Sequence, residues 1–196
     1  MITINQLYNA MKQIAPLELA EHWDNPGLLV DCGGGVRRVL VALDITPEVV
    51  AEAAEKHCEA IVSHHPVIFS PLKKLSPQDV PFQLVQAGIS AVCMHTNLDA
   101  AEGGVNEVLA HIFHMRKMET FANGCGRVGE IDWNSVKGLA YQVQKELSAR
   151  CNPPEEGPAV QIKLVDNGGY VRRLAVISGA GGSLFEDAIA MGADCL

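Results

Sequence analysis

The chain has 196 residues, 48% of them apolar, and a net charge of −8. That size and composition allow one large domain or two small ones with a sizeable core, and the acidic balance argues against a nucleic-acid partner, because a phosphate backbone recruits clusters of Lys and Arg. The basic pairs Arg37-Arg38 and Lys73-Lys74 extend into no patch, and no apolar run approaches the roughly 20 residues of a membrane helix.

From the N-terminus, the pattern predicts a helix over 5–14 that Thr3 or Asn5 can cap. A turn at Trp23-Asp24-Asn25-Pro26-Gly27 leads into a short strand over 28–30. After Gly33-Gly34-Gly35 comes a largely apolar strand over 36–43, as in a parallel sheet covered on both faces. Thr46-Pro47-Glu48 starts a helix: Thr46 can accept from a free amide, and Pro47 suits the first turn. A strand over 60–63 follows. Further helices are expected over 81–87, 105–114, 134–147 and 184–191. Further strands are expected over 89–94, 160–165 and 170–177, with Asn167-Gly168-Gly169 turning the last two into a hairpin. The alternation indicates an α/β fold with mixed or parallel sheets and crossover helices.

A seam is expected between Gly124 and Asp132, giving a first half over 1–126 and a second over 127–196. Pro153-Pro154-Glu155-Glu156-Gly157 reads as a surface loop. The halves look related. At one constant offset Val36-Arg37-Arg38 falls on Val171-Arg172-Arg173, Glu52-Ala53 on Asp187-Ala188, and Glu59 on Asp194. The six cysteines (Cys32, Cys58, Cys93, Cys125, Cys151, Cys195) are widely spaced, and the N-terminus lacks the pattern of a signal peptide. They read as reduced thiols of a cytoplasmic protein.

Chemistry concentrates at two strand ends. The run Ala60-Ile61-Val62-Ser63 ends in His64-His65-Pro66, and the run over 89–94 ends in His95-Thr96-Asn97-Leu98-Asp99. Consecutive Cα atoms lie about 3.8 Å apart, and paired ions roughly 3.5–4 Å. A histidine doublet can therefore offer one nitrogen to each of two ions. In open α/β sheets ligands bind at the carboxyl ends of the strands. The mixed nitrogen and oxygen set suits Zn, Fe, Mn, Ni or Co better than Ca or Mg. His95 is also available as general acid or base. His22, His57, His111 and His114 lack partners at ligand spacing, and Cys93 reads as core. Ser178-Gly179-Ala180-Gly181-Gly182-Ser183 offers a helix N-terminus for phosphate, but a tight turn with Ser183 as N-cap explains it better. Asp24 and Asn25 support either a site partner or an Asx turn.

The segments Trp23-Asp24-Asn25-Pro26-Gly27-Leu28, Ser63-His64-His65-Pro66, His95-Thr96-Asn97-Leu98-Asp99-Ala100 and Gly126-Arg127-Val128-Gly129 together resemble the GTP cyclohydrolase type 2 homologues, the Nif-three-like family. The resemblance implies two interlinked α/β halves, a ring-shaped homohexamer and a dinuclear divalent-metal site. It assigns His64, His65 and Asp99 as ligands and puts His95 beside the ions. It also implies a departure. The family's further histidine and bridging glutamate have no counterpart before Leu196, and Glu186 cannot substitute. The second half is thus expected to be incomplete and metal binding by this chain partial. No extra domain is expected between Ile131 and Asp132. The function implied is a metal-dependent hydrolase of a nucleotide or phosphoester, with no nucleic-acid or membrane partner. The alternatives are a non-enzymatic metal-binding scaffold or interaction protein, and an inactive partial domain.

Overall fold

A computed structural model describes residues 1–150 and 160–196, with the backbone alone at 133 and 134. Cys151 and the expected loop at 153–157 lie outside the described residues. The chain divides into two compact units, Met1–Gly104 and Val105–Leu196, ahead of the expected seam at residue 126.

The first unit opens with β1 (Ile2–Thr3) and α1 (Ile4–Ile14). Thr3 caps α1: its hydroxyl accepts from the Gln6 amide at 3.2 Å, while the Gln6 side chain accepts from the Thr3 amide at 2.9 Å. Then come β2 (Gly27–Val30), β3 (Gly35–Val36), β4 (Val39–Ala42), α2 (Pro47–Glu55), β5 (Ala60–Ser63), α3 (Val80–Ala87), β6 (Ser90–Cys93) and α4 (Thr96–Ala100). The expected strand over 36–43 is thus two short ones, and β3 pairs with β1. The main sheet has the order β2-β6-β5-β4, with β4, β5 and β6 parallel and β2 antiparallel. Thr46 caps α2 as expected.

Every residue of β5 and β6 is buried, which explains their continuous apolar reading. Alternation sends Ile61 into a cluster with Val50, Ala53, Leu84 and Ile89, and Val62 into another with Ile4, Val92 and Met94. Helices thus cover both faces, and the carboxyl ends of β4, β5 and β6 share one rim.

The second unit holds α5 (Val105–Ile112), β7 (Arg116–Phe121), β8 (Gly126–Ser135), α6 (Val136–Arg150), β9 (Tyr170–Ile177) and α7 (Phe185–Ala190). Its sheet, β7-β8-β9, is antiparallel. The side chains of α5 and α6 pack on one face around Met115, Ile131, Leu139 and Val171. Ala188 of α7 packs on the other with Phe121, Val128 and Ala175. β8 runs unbroken through Ile131-Asp132, where no insertion was expected. Arg127 is buried and donates to the Gly124 carbonyl at 2.6 Å, so in this motif it braces its own turn.

Two expectations are corrected here. The segment over 160–165 forms no strand. One edge of β9 is taken by β8, and on the other the Ala175 amide donates to the Cys195 carbonyl at 2.8 Å. The segment pairs with no strand, and Val165 stays open to water. Ser183 is no helix N-cap either: it lies inside a short 3-10 turn, Gly181–Leu184, ahead of α7.

The relatedness of the halves recurs bond for bond. Glu59 accepts from the Arg37 and Arg38 amides, both at 2.9 Å. Asp194 accepts from the Arg172 and Arg173 amides at 3.0 and 2.9 Å. Arg38 donates to the Lys56 carbonyl, and Arg173 to that of Met191. Val39 pairs in parallel with Ala60, and Leu174 with Cys195. All these pairs keep the offset that aligns the two sequence halves.

Candidate metal centre

Three parallel strands end side by side, and each end carries a group that can bind a cation. β4 leads to Asp44, β5 to His64 and His65, and β6 to His95. The ladder continues past β5: the His64 and His65 amides donate to the carbonyls of Ala42 and Leu43 at 3.3 and 2.9 Å. The Ser63 hydroxyl donates to the His65 carbonyl at 2.8 Å, and the Cys93 thiol to that of His64 at 3.0 Å. The doublet is therefore held by its backbone before its rings are considered.

The imidazoles of His64, His65 and His95 converge. One ring nitrogen from each lies within 4.8 Å of the others. The ring centroids are 5.1, 5.2 and 5.6 Å apart. Each Nδ1 faces an acceptor: the Met94 carbonyl for His64 at 3.1 Å, Asp44 for His65 at 2.7 Å, and Asp24 for His95 at 2.8 Å. A carbonyl or carboxylate accepts only, so each Nδ1 carries a proton, and in a neutral ring that tautomer leaves the Nε2 lone pair for a metal. Histidines that ligate metals are typically oriented in this way.

Asp99, on α4, brings a carboxylate oxygen to 3.7 Å from the His64 Nε2. That is long for a hydrogen bond. It fits two ligands on one ion, which stand about 3.4 Å apart for tetrahedral bonds of about 2.1 Å. The donor set therefore fits a divalent cation: three oriented imidazoles with a carboxylate beside them. His64, His65 and His95 are brought together, and Asp99 stands beside His64.

Burial pushes the His64 imidazole below its ordinary pKa. The Asp99 charge opposes this, while neighbouring His95 and His65 reinforce it. A neutral imidazole is the form that binds metal. Burial acts against ionisation of Asp24, but hydrogen bonds from Thr96 and His95 outweigh it and hold the carboxyl below its usual range. The Thr96 hydroxyl and amide donate to Asp24 at 2.5 and 3.0 Å. The choice left open for Asp24 is thereby resolved: its side chain is fully buried and anchors His95.

Cys93 behaves as core, its thiol pushed up to about 12 by burial. His57 and His114 occupy left-handed backbone positions after α2 and α5, and His111 stands 3.7 Å from Glu107 on its own helix. In the glycine-rich loop, the Ser178 amide donates to Asn106 at 2.6 Å. Sequence reasoning missed Asp44. Its signal was present: a carboxylate just beyond the strand that neighbours the doublet in a parallel sheet.

Comparison with known proteins identifies the family. The sequence profile of the family described as Duf34/NIF3 (NGG1p interacting factor 3) matches residues 2–196. A relative from Clostridium acetobutylicum, named GTP cyclohydrolase 1 type 2 homolog, is 30% identical over 210 residues, covering 100% of this chain and 75% of that protein. NGG1-interacting factor 3 of Saccharomyces cerevisiae is 29% identical, over 93% of this chain and 73% of its own length. Among solved structures, Staphylococcus aureus protein SA1388 superposes with a TM-score of 0.80 at 26% identity, covering 98% of this chain and 78% of that one. Reduced HcgD from Methanocaldococcus jannaschii gives 0.76 at 25% identity, over 99% and 77%. The chain belongs to the Duf34/NIF3 family.

Proposed function

We propose that this chain binds divalent metal at the shared rim of β4, β5 and β6, as part of a dinuclear site serving hydrolysis of a nucleotide or phosphoester. The observation that carries this reading is the trio of converging imidazoles, each with its Nδ1 tied to an acceptor. His64 and His65 would hold separate ions, and Asp99 would join His64. Zn, Fe, Mn, Ni or Co fits this donor set. Bound ions supply Lewis-acid polarisation of a substrate oxygen and lower the pKa of water. His95 moves the proton: Asp24 fixes its Nδ1–H, which turns the Nε2 lone pair towards the cluster. Thr96 keeps the second oxygen of Asp24 engaged, so the carboxylate stays aimed at His95.

Two wider features belong to the same proposal. Assembly into a homohexamer is supported by β4, an edge strand whose exposed face carries Val41, 78% open, followed by Leu43, 62% open. A cytoplasmic setting is supported by the five described cysteines, all free thiols. No helix among the described residues is long and apolar enough to cross a membrane.

The test is a panel of nucleotides and phosphoesters with Mn, Zn, Fe and Ni, run on the wild type and His95→Ala. Metal-dependent turnover is expected, with His95→Ala slower by about 10²–10⁴-fold and its metal content retained. The name of the yeast relative favours a second reading, a metal-binding interaction protein. Retained metal without turnover on any member of the panel would support that reading instead.

A further inference from the structure

We propose that Trp23 and Phe69 form a ring-binding subsite contiguous with the histidine cluster, so that the substrate carries a planar heteroaromatic ring as well as an oxyanion. This rests on the metal reading above, since the metal centre would take the oxyanion. It selects the nucleotide-like branch of that reading over a simple phosphoester.

Trp23 and Phe69 are each 52% exposed. Single exposed aromatics are common and need no explanation. These two stand together, their centroids 6.0 Å apart and their planes inclined by 53°. The two rings pack tilted against each other and, being half exposed, offer outer π-faces on which a flat ring can stack. Trp23 also stands edge-on to His95, at 6.4 Å and 78°.

Both aromatics are tied to the site by short covalent routes. Trp23 immediately precedes Asp24, the carboxylate that anchors His95. Phe69 lies on the segment that leaves His65. The Asn25 side-chain amide donates to the Ile68 carbonyl at 2.6 Å and pins one segment to the other. The same turn that positions His95 therefore positions the ring shelf. Neither ring belongs to a core cluster of its unit. Stacking on such a shelf tolerates any base, because every base presents a π-face.

The experiment uses the full chain carrying Trp133→Phe, which leaves Trp23 as the sole tryptophan of two. Its emission, excited at long wavelength, is followed during titration with adenosine in chelator-treated protein. Metal-loaded protein is titrated with AMP and with ribose 5-phosphate. Adenosine and AMP are expected to quench Trp23, and AMP to bind about 5- to 100-fold more tightly than ribose 5-phosphate. Phe69→Leu, which keeps apolar bulk but removes the ring, is expected to erase most of that preference. Protein that takes up metal but binds AMP and ribose 5-phosphate equally overturns the subsite and leaves the metal reading standing. Quenching by adenosine in protein that takes up no metal keeps the subsite and removes the metal reading. Emission that responds to protein concentration and not to adenosine makes the two rings a contact between copies and overturns the proposal.

Discussion

The imidazoles of His64, His65 and His95 are held from behind by three unlike acceptors: a backbone carbonyl, a half-exposed carboxylate and a buried carboxylate. The carbonyl cannot be deleted by mutation, but the two carboxylates can. Asp44→Ala leaves His65 free to turn, and metal affinity is expected to fall about 10- to 100-fold, measured by competition with a chromophoric chelator. Cys93 gives a contrasting expectation. Burial raises its thiol to about 12, so the folded state favours the protonated form. Its contribution to stability is complete below the ordinary thiol pKa and is lost as pH rises towards 12. In native protein near pH 9, Cys93 is expected to resist iodoacetamide and to react fully in urea, with peptide mass spectrometry as the readout. The doublet and His95-to-Asp99 were legible in sequence because each closes an apolar run. Asp44 also follows a strand, but its role is clear only once β4 is placed beside β5, and strand adjacency is a tertiary fact.

Where burial was complete, the elements were legible. β5 and β6 read as strands because all four residues of each are inside. β7 was not foreseen, and the start of β8 was taken for a seam. β7 is largely open to water, and Lys117 within it has a left-handed backbone at φ 51° that breaks the register. Charged side chains on such a sheet give no apolar run to read. The reverse error fell at 160–165, an apolar segment that forms no strand; β propensity reports a fit to a half-buried surface, not a partner. α4, which carries Asp99, depends on Gly104. A Cβ there would stand 2.0 Å from the Leu98 carbonyl oxygen. Gly104→Ala is expected to lower stability by about 1–3 kcal/mol in urea unfolding and to disturb Asp99, seen as weaker metal uptake.

In the described residues one strand-turn-helix design is used twice, with an equivalent carboxylate, Glu59 or Asp194, bridging the amides of an arginine pair in each half. The first copy runs on into the histidine doublet. The constant offset was visible in sequence although identities were few, because the retained residues are those that close the turn. The sheets then diverge: the first unit keeps its parallel strands together, while the second puts β9 into an antiparallel sheet. Parallel strands bring their carboxyl ends to one rim, which places the candidate site in the first unit. The central claim is that this rim binds metal through the doublet. Elemental analysis of purified, metal-reconstituted protein beside the His64→Ala, His65→Ala double variant tests it most directly. Divalent metal retained by the wild type and lost from the variant, with both equally folded by circular dichroism, is the expected result. Equal metal content in the two proteins, or none in the wild type, would contradict it.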